Sequence, residues 1–175
     1  MARAPFRIEP LSGVHDRSGF QSGSVALDRY IREQASQDVK RHVATCFVAV
    51  SVGSGDVAGF YTLSAASIPL DRLPPEVSKR LPRYPVIPAA LVGRLAIAQR
   101  HQGKGLGSAL LADAITRTAR AEVGVFTIIV DAKDESSRRF YEHHGFALLA
   151  GEQTRLCLPM ATARRALGQQ RHGSR

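Results

Sequence analysis

Between Leu95 and Ser108 the chain reads Leu-Ala-Ile-Ala-Gln-Arg-His-Gln-Gly-Lys-Gly-Leu-Gly-Ser. Glycines at 103, 105 and 107 permit backbone angles closed to other residues and let a ligand approach the main chain. An apolar run ending at Ile97 predicts a strand before this loop, and the run from Leu106 predicts a helix after it. The first turn of such a helix has N–H groups without intrahelical acceptors, at the positive end of the helix dipole. Strand, glycine loop and helix start together make an anion site suited to a pyrophosphate. Three ligand classes use loops of this kind. A P-loop needs Gly-x-x-x-x-Gly-Lys-Ser/Thr, but Lys104 is followed by Gly105, so that reading fails. A dinucleotide fingerprint needs Gly-x-Gly-x-x-Gly. Gly103 and Gly105 fit it and Asp131 could imitate its ribose-binding acid, but Ser108 stands third and the motif lies far from the start of the sequence.

The third class is defined together with a second motif downstream, Asp134-x-x-Ser137-x-x-Phe140-Tyr141-Glu142-His143-His144-Gly145-Phe146. The pair resembles the signatures of the GNAT acetyltransferases. Arg100, Gly103 and Gly105 match the Gln/Arg-x-x-Gly-x-Gly/Ala loop of that family, and Gly107 extends it. In the second signature, Asn-x-x-Ala-x-x-x-Tyr, Tyr141 matches, while Asp134 and Ser137 depart from it. The resemblance implies that the backbone of Leu95, Ala96 and Ile97 holds the pantetheine of acetyl-CoA. It implies that Arg100 and the turn Gln102, Gly103, Lys104, Gly105, Leu106, Gly107 and Ser108 hold the pyrophosphate, with Asp134, Ser137 and Phe140 also at the cofactor. It places Tyr141 near the sulfur. A phenol of pKa near 10 is a proton donor at neutral pH and could protonate the departing thiolate. Read alone, Tyr141 would be a core tyrosine.

The resemblance extends over nearly the whole chain and narrows. Phe20-Gln21-Ser22-Gly23 with Leu27-Asp28-Arg29-Tyr30-Ile31, Val57 to Ser64, Leu81 to Pro88, Gly93 to Ile97 and Val130 to Asp134 look like GNAT toxins of bacterial toxin–antitoxin pairs. This implies acetylation of the α-amino group of aminoacyl-tRNA and a block of translation. It also implies a homodimer and a small antitoxin with a ribbon-helix-helix part. The alternatives are a GNAT enzyme acting on a protein or small-molecule amine, and a non-catalytic module that binds acetyl-CoA or nucleic acid.

Charge agrees with a polyanionic partner. Lys plus Arg total 24 against 15 Asp plus Glu, a net charge of +9. Lys79, Arg80, Arg83 and Arg94 occur with no acid between Val77 and Leu95. Lys40 and Arg41 end the first predicted helix, and Arg138 and Arg139 precede Tyr141. Lys40, Arg41, Lys79, Arg80, Arg83, Arg94 and Arg139 are the candidate tRNA contacts. No carboxylate stands out as a general base, although a water relay from Glu33 or Asp38 is open. The lack of a base suits an α-amine acceptor, whose pKa of about 7.7 to 8.0 leaves part of it nucleophilic at neutral pH. Cys46 and Cys157 lie in apolar runs and read as small buried hydrophobes. His143 and His144 diverge as helix neighbours, so no metal site is expected.

These residues require a scaffold. The patterning predicts strands near Phe6–Leu11, Val43–Ser51 and Val57–Ile68, the last two as a hairpin, with an amphipathic helix over Ser24–Lys40. A proline-rich connection, Pro69 to Pro88, holds a short helix at Pro75–Arg80. Strand Ala89–Ile97, helix Leu106–Ala121, strand Val125–Val130, helix Ser136–His144 and strands Phe146–Leu149 and Arg155–Met160 follow. Acetyl-CoA is expected where the strand ending at Ile97 splays from the strand beginning near Val125. The order is mixed α/β, an α+β mixed sheet, and the resemblance implies the GNAT acyl-CoA N-acyltransferase fold. The expected organisation is one domain over residues 1–162 and a basic tail over 163–175. No apolar run nears the roughly 20 residues of a membrane span. Met1 to Pro10 lacks the apolar stretch of a signal peptide, so the cytoplasm is the expected location.

Overall fold

The computed structural model describes residues 5–172. Residues 1–4 and 173–175, the ends of the N-terminal stretch and of the basic tail, lie outside it. Seven strands make one mixed sheet in the order β1-β2-β3-β4-β5-β7-β6. They are β1 (Phe6–Pro10), β2 (Thr45–Ser51), β3 (Val57–Pro69), β4 (Val86–Ile97), β5 (Thr127–Asp131), β6 (Ala147–Leu148) and β7 (Arg155–Pro159). The helices are α1 (Val25–Arg29), α2 (Ala35–Lys40), α3 (Pro75–Ser78), α4 (Leu106–Ala119), α5 (Glu135–His143) and α6 (Met160–His172). Two compact units divide the chain, residues 5–64 with 93–114 and residues 65–92 with 115–172.

In the first unit β1 and β2 pair antiparallel from Phe6↔Ser51 to Pro10↔Phe47, and β2 and β3 form the predicted hairpin. Its register slips between Ala49 and Val50, a bulge next to the turn. The predicted first helix is present but not uniform. Ser24 caps α1, its hydroxyl accepting from Leu27 N. A π-helical segment, Tyr30–Gln34, then joins α1 to α2. The widened turn carries Tyr30 and Ile31, both buried, into a core with Phe20, Ala35, Val48, Phe60 and Ala98.

In the second unit β4 and β5 run parallel from Ala89↔Thr127 to Val92↔Val130, and β7 pairs antiparallel with β5 and with β6. The residues Thr127–Val130 are all buried, as the unbroken β-branched run predicts. Strand β4 begins at Val86, earlier than the proline-rich sequence predicts. Proline lacks only the donor, and the Pro88 carbonyl still accepts from Phe126 N. Ile68, Leu73, Ile87, Ile129, Leu149 and Cys157 form the core here. The segment after Pro159 is α6, which buries Met160 and Ala163. Arg164 donates to the Ala119 carbonyl at the end of α4. No helix among the described residues is long and apolar enough to cross a membrane.

Candidate active site

The glycine loop lies wholly in the first unit. A 3-10 turn, Gln99–His101, follows β4, and α4 opens at Leu106. Gly103 and Gly105 have φ of +74° and +83°, angles that favour glycine. A Cβ built on either would meet no atom within 4 Å. Glycine is therefore required for the turn rather than for clearance, and the space above the loop stays open for a ligand. A pyrophosphate fits this cradle, since the first turn of α4 leaves N–H groups without intrahelical acceptors.

The loop is braced from beneath. Gln102 Nε2 donates to the carbonyls of Ser22 (2.8 Å) and Ile97 (2.9 Å), and Lys104 Nζ to that of Arg100 (3.1 Å). Gln99 N donates to Gln21 O and Ala98 N to Ala58 O, each at 2.8 Å. The Arg100 guanidinium pairs with Asp56, at the β2–β3 turn. Burial alone would raise the Asp56 carboxyl, but hydrogen bonds from Arg100 and His101 outweigh it and hold the pKa below the ordinary value. The side chains of Arg100, Gln102 and Lys104, read from sequence as cofactor contacts, here engage Asp56, the carbonyls of Ser22 and Ile97, and the Arg100 carbonyl respectively. The Ile97 carbonyl is taken by Gln102.

Two supports of this loop escape a reading of sequence alone. Asp28 is buried, and its Oδ1 accepts from both Ser22 N (2.8 Å) and Ser22 Oγ (2.6 Å). Ser22 in turn holds Gln102. Asp28→Ala would leave two donors without their acceptor, a loss of about 1 to 3 kcal/mol. We expect the unfolding midpoint in urea to fall and the KM for acetyl-CoA to rise several-fold. Gly59 is the second support. A Cβ there would lie 2.9 Å from Ile97 Cδ1 and 3.0 Å from both the Ala96 carbonyl and Leu110 Cδ1. Its absence lets the end of β4 and helix α4 close over β3. Spacing gives no hint of either contact, because both depend on which strands become neighbours.

The second motif lies in the second unit. Asp134 is the N-cap of α5, with Ser137 N and Ser137 Oγ each donating to Oδ1 at 2.7 Å. Those hydrogen bonds hold the Asp134 carboxyl below its ordinary pKa. Both departures from the family signature thus have their side chains in one helix cap, with Asp134 Oδ1 accepting both bonds from Ser137 at the start of α5. Gly145, at φ +90°, ends that helix as predicted, with Phe146 N and His144 N donating to the Tyr141 carbonyl.

Tyr141 is thereby fixed at both ends of its helix. Its ring is buried beside Phe140 and Phe146, at centroid distances of 5.2 and 5.7 Å. Tyr30 donates to Asp38 and Tyr61 to Asp113. The Tyr141 hydroxyl has no hydrogen-bond partner among the described residues. Burial, with the Asp131 carboxylate adding to it, pushes its pKa up to about 12. A buried ring with an unengaged, firmly protonated hydroxyl is suited to donate a proton to a bound molecule.

The predicted basic contacts divide. Arg94 stacks on Tyr30, its guanidinium carbon 3.7 Å from the ring centroid, and Arg139 pairs with Glu135 at 3.6 Å. Lys40, Arg41, Lys79, Arg80 and Arg83 are exposed. Of the two carboxylates that could relay a proton, Glu33 pairs with Arg29 and Asp38 accepts from Tyr30. Cys46 and Cys157 are buried free thiols, as predicted. Burial pushes the Cys46 thiol up to about 12 and raises that of Cys157 as well, so neither is a ready nucleophile. No cluster of metal-ligating side chains occurs among the described residues.

A glycine loop at a helix start in the first unit, and in the second a buried tyrosine whose hydroxyl is unengaged, are the parts that an acyl-CoA-dependent acyltransferase needs. The pattern that defines the acetyltransferase (GNAT) domain matches residues 42–148, and the chain belongs to that family. It is an acetyl-CoA-dependent N-acetyltransferase. A tRNA-acetylating toxin of Mycobacterium tuberculosis is 36% identical over 167 residues, covering 94% of this chain and 96% of the relative. A probable toxin, TacT, of Sinorhizobium fredii is 31% identical over 171 residues, covering 92% and 94%. Among solved structures, AtaT complexed with acetyl-methionyl-tRNAfMet superimposes with a TM-score of 0.86 at 27% identity, covering 93% of this chain and 99% of that one.

Proposed function

We propose that this enzyme is a toxin that acetylates the α-amino group of aminoacyl-tRNA and so blocks translation. The observation that carries the reading is the end-to-end similarity to a tRNA-acetylating toxin at 36% identity, with no large segment of either chain left over. The net charge of +9 suits a polyanionic acceptor. The expected partner is an antitoxin with a ribbon-helix-helix part, the expected assembly a homodimer, and the place of action the cytoplasm, where charged tRNA is found.

The acetyl donor lies with its pyrophosphate on the Gln102–Ser108 turn and its pantetheine along the backbone of Leu95 to Ile97. The neutral amine attacks the thioester carbonyl, the C–N bond forms and the C–S bond breaks. Tyr141 gives its proton to the departing sulfur and regains one from the amine nitrogen through solvent, so the net change is one proton moved from nitrogen to sulfur. No acetyl-enzyme forms, and Cys46 and Cys157 take no part. Asp134 and Ser137 act by starting α5, and Phe140 by packing against the phenol.

Acceptor identity tests this reading. Labelled acetyl-CoA is offered with charged tRNA, uncharged tRNA and free amines. Label is expected on charged tRNA alone and should be released with the amino acid on mild alkaline hydrolysis of the ester. Labelling of a protein or small-molecule amine, with none on charged tRNA, would refute it.

A further inference from the structure

The proline-rich connection between β3 and β4 carries a feature that acetyl transfer does not use. Tyr84 is 62% exposed, the most exposed aromatic side chain among the large hydrophobics of the described residues. Its backbone is stiff: Tyr84 N donates to Pro82 O at 2.8 Å, and the carbonyl of Pro85 accepts from Leu70 N at 3.2 Å. Pro82 and Pro85 fix φ on either side. The ring is thus held out into solvent on a rigid turn, where hydrophobic burial alone would have turned it inward.

Tyr84 borders a surface groove with Lys79, Arg83, Leu70 and Asp71. Lys79, Arg83 and the adjacent Arg80 are exposed and pair with no carboxylate among the described residues. Arg7, Arg29, Arg100, Arg138 and Arg155 by contrast are all engaged by carboxylates. Asp71 is the one acid of the groove. A flat π-face between unpaired cations fits one ligand chemistry well, an unstacked base with its flanking phosphates. A duplex does not fit, since its bases are stacked on one another and only its phosphates would be met. Asp71 is an acceptor for an exocyclic amino group of such a base.

We propose that the Tyr84 groove binds a single-stranded nucleotide of the RNA acceptor, with the base stacked on Tyr84 and the phosphates on Lys79 and Arg83. This rests on the aminoacyl-tRNA reading and deepens it: the unpaired 3′ end, which bears the amino acid, offers free base faces next to the reacting group. The groove sets affinity for the acceptor and leaves the chemical step to Tyr141.

The test is direct binding, separate from acetyl transfer. Fluorescence anisotropy with a labelled single-stranded oligoribonucleotide ending in CCA is compared for the full chain, Tyr84→Ala and Tyr84→Phe. Alanine is expected to weaken binding about tenfold, the scale of one lost base–aromatic stack, and phenylalanine to restore it. Lys79→Ala and Arg83→Ala should each lower the slope of log affinity against log salt by about 0.7, the value for one phosphate of a single strand. Thermal unfolding of each variant shows that the fold is kept. Equal binding by Tyr84→Ala and the parent chain would overturn the proposal. So would a duplex RNA without overhangs that binds as tightly and loses as much affinity on the alanine change. If the parent chain acetylates charged tRNA while Tyr84→Ala binds as well as the parent, the groove assignment fails and the acceptor reading stands. If the oligonucleotide depends on Tyr84 but charged tRNA is never acetylated, the acceptor reading fails instead.

Discussion

Tyr141→Phe is expected to lower kcat for acetyl transfer about 10²- to 10⁴-fold, the usual worth of a positioned acid, while acetyl-CoA binds as before. The substitution removes one oxygen and keeps the ring that packs on Phe140 and Phe146. That oxygen has no hydrogen-bond partner among the described residues, so no donor or acceptor is left stranded and the fold should not weaken. The loss therefore belongs to kcat rather than to stability. The pH profile provides an independent check. With a pKa near 12 the phenol is protonated throughout the working range, and its ionisation cannot produce a limb near neutrality. The rate should instead rise with pH as the acceptor amine loses its proton, at or below about 8. In Tyr141→Phe the level falls and the position of that rise stays. A mutant with the parent's kcat, or a rise that moves with the substitution, would remove Tyr141 from the proton path. In cells the same variant should no longer arrest growth.

The elements that carry the chemistry were legible because local signals mark them. Alternation and β-branched runs gave the strands, and Gly103, Gly105 and Gly145 stand at positive φ where the sequence requires it. Gly145 needed no tertiary information, because a C-cap is set by its own helix. What stayed hidden was how side chains are shared between motifs. Asp134 and Ser137 matched a cofactor signature by position, yet their side chains satisfy each other at the start of α5. Arg94 sits beside the cofactor strand in sequence and stacks on Tyr30, sixty-four residues upstream. The π-segment at Tyr30–Gln34 follows from packing Tyr30 on Phe60, at a ring distance of 6.1 Å, and no local periodicity signals it. The basic stretch from Ala163 suggested a tail, and as far as His172 it is helical, with Met160 and Ala163 buried at its start. Composition described the exposed face of that helix and not its buried start.

Gly105→Val should raise the KM for acetyl-CoA about 10- to 100-fold and change kcat at saturation little. A residue with a Cβ pays about 1 to 2 kcal/mol at a left-handed angle, and a β-branched one more. Space is not the obstacle, since a Cβ at 105 meets nothing within 4 Å. The strain is relieved only if the turn relaxes, and relaxation swings the N–H groups at the start of α4 away from the position proposed for the pyrophosphate. Losing one hydrogen bond to a charged group, at about 1.5 to 3 kcal/mol, gives the stated range. Gly53 is the control. It too has open space around its Cβ but no positive φ, and lies in the β2–β3 turn. Gly53→Val should leave the KM where it was. If both valines raise it alike, bulk near the surface and not the backbone angle is responsible. The two lesions are then separable in one set of initial rates. Tyr141→Phe acts on kcat with the donor still bound, and Gly105→Val acts on donor binding with the proton still available. A Gly105→Val enzyme that lost kcat and kept its KM would mean that the loop positions the thioester rather than holds the pyrophosphate.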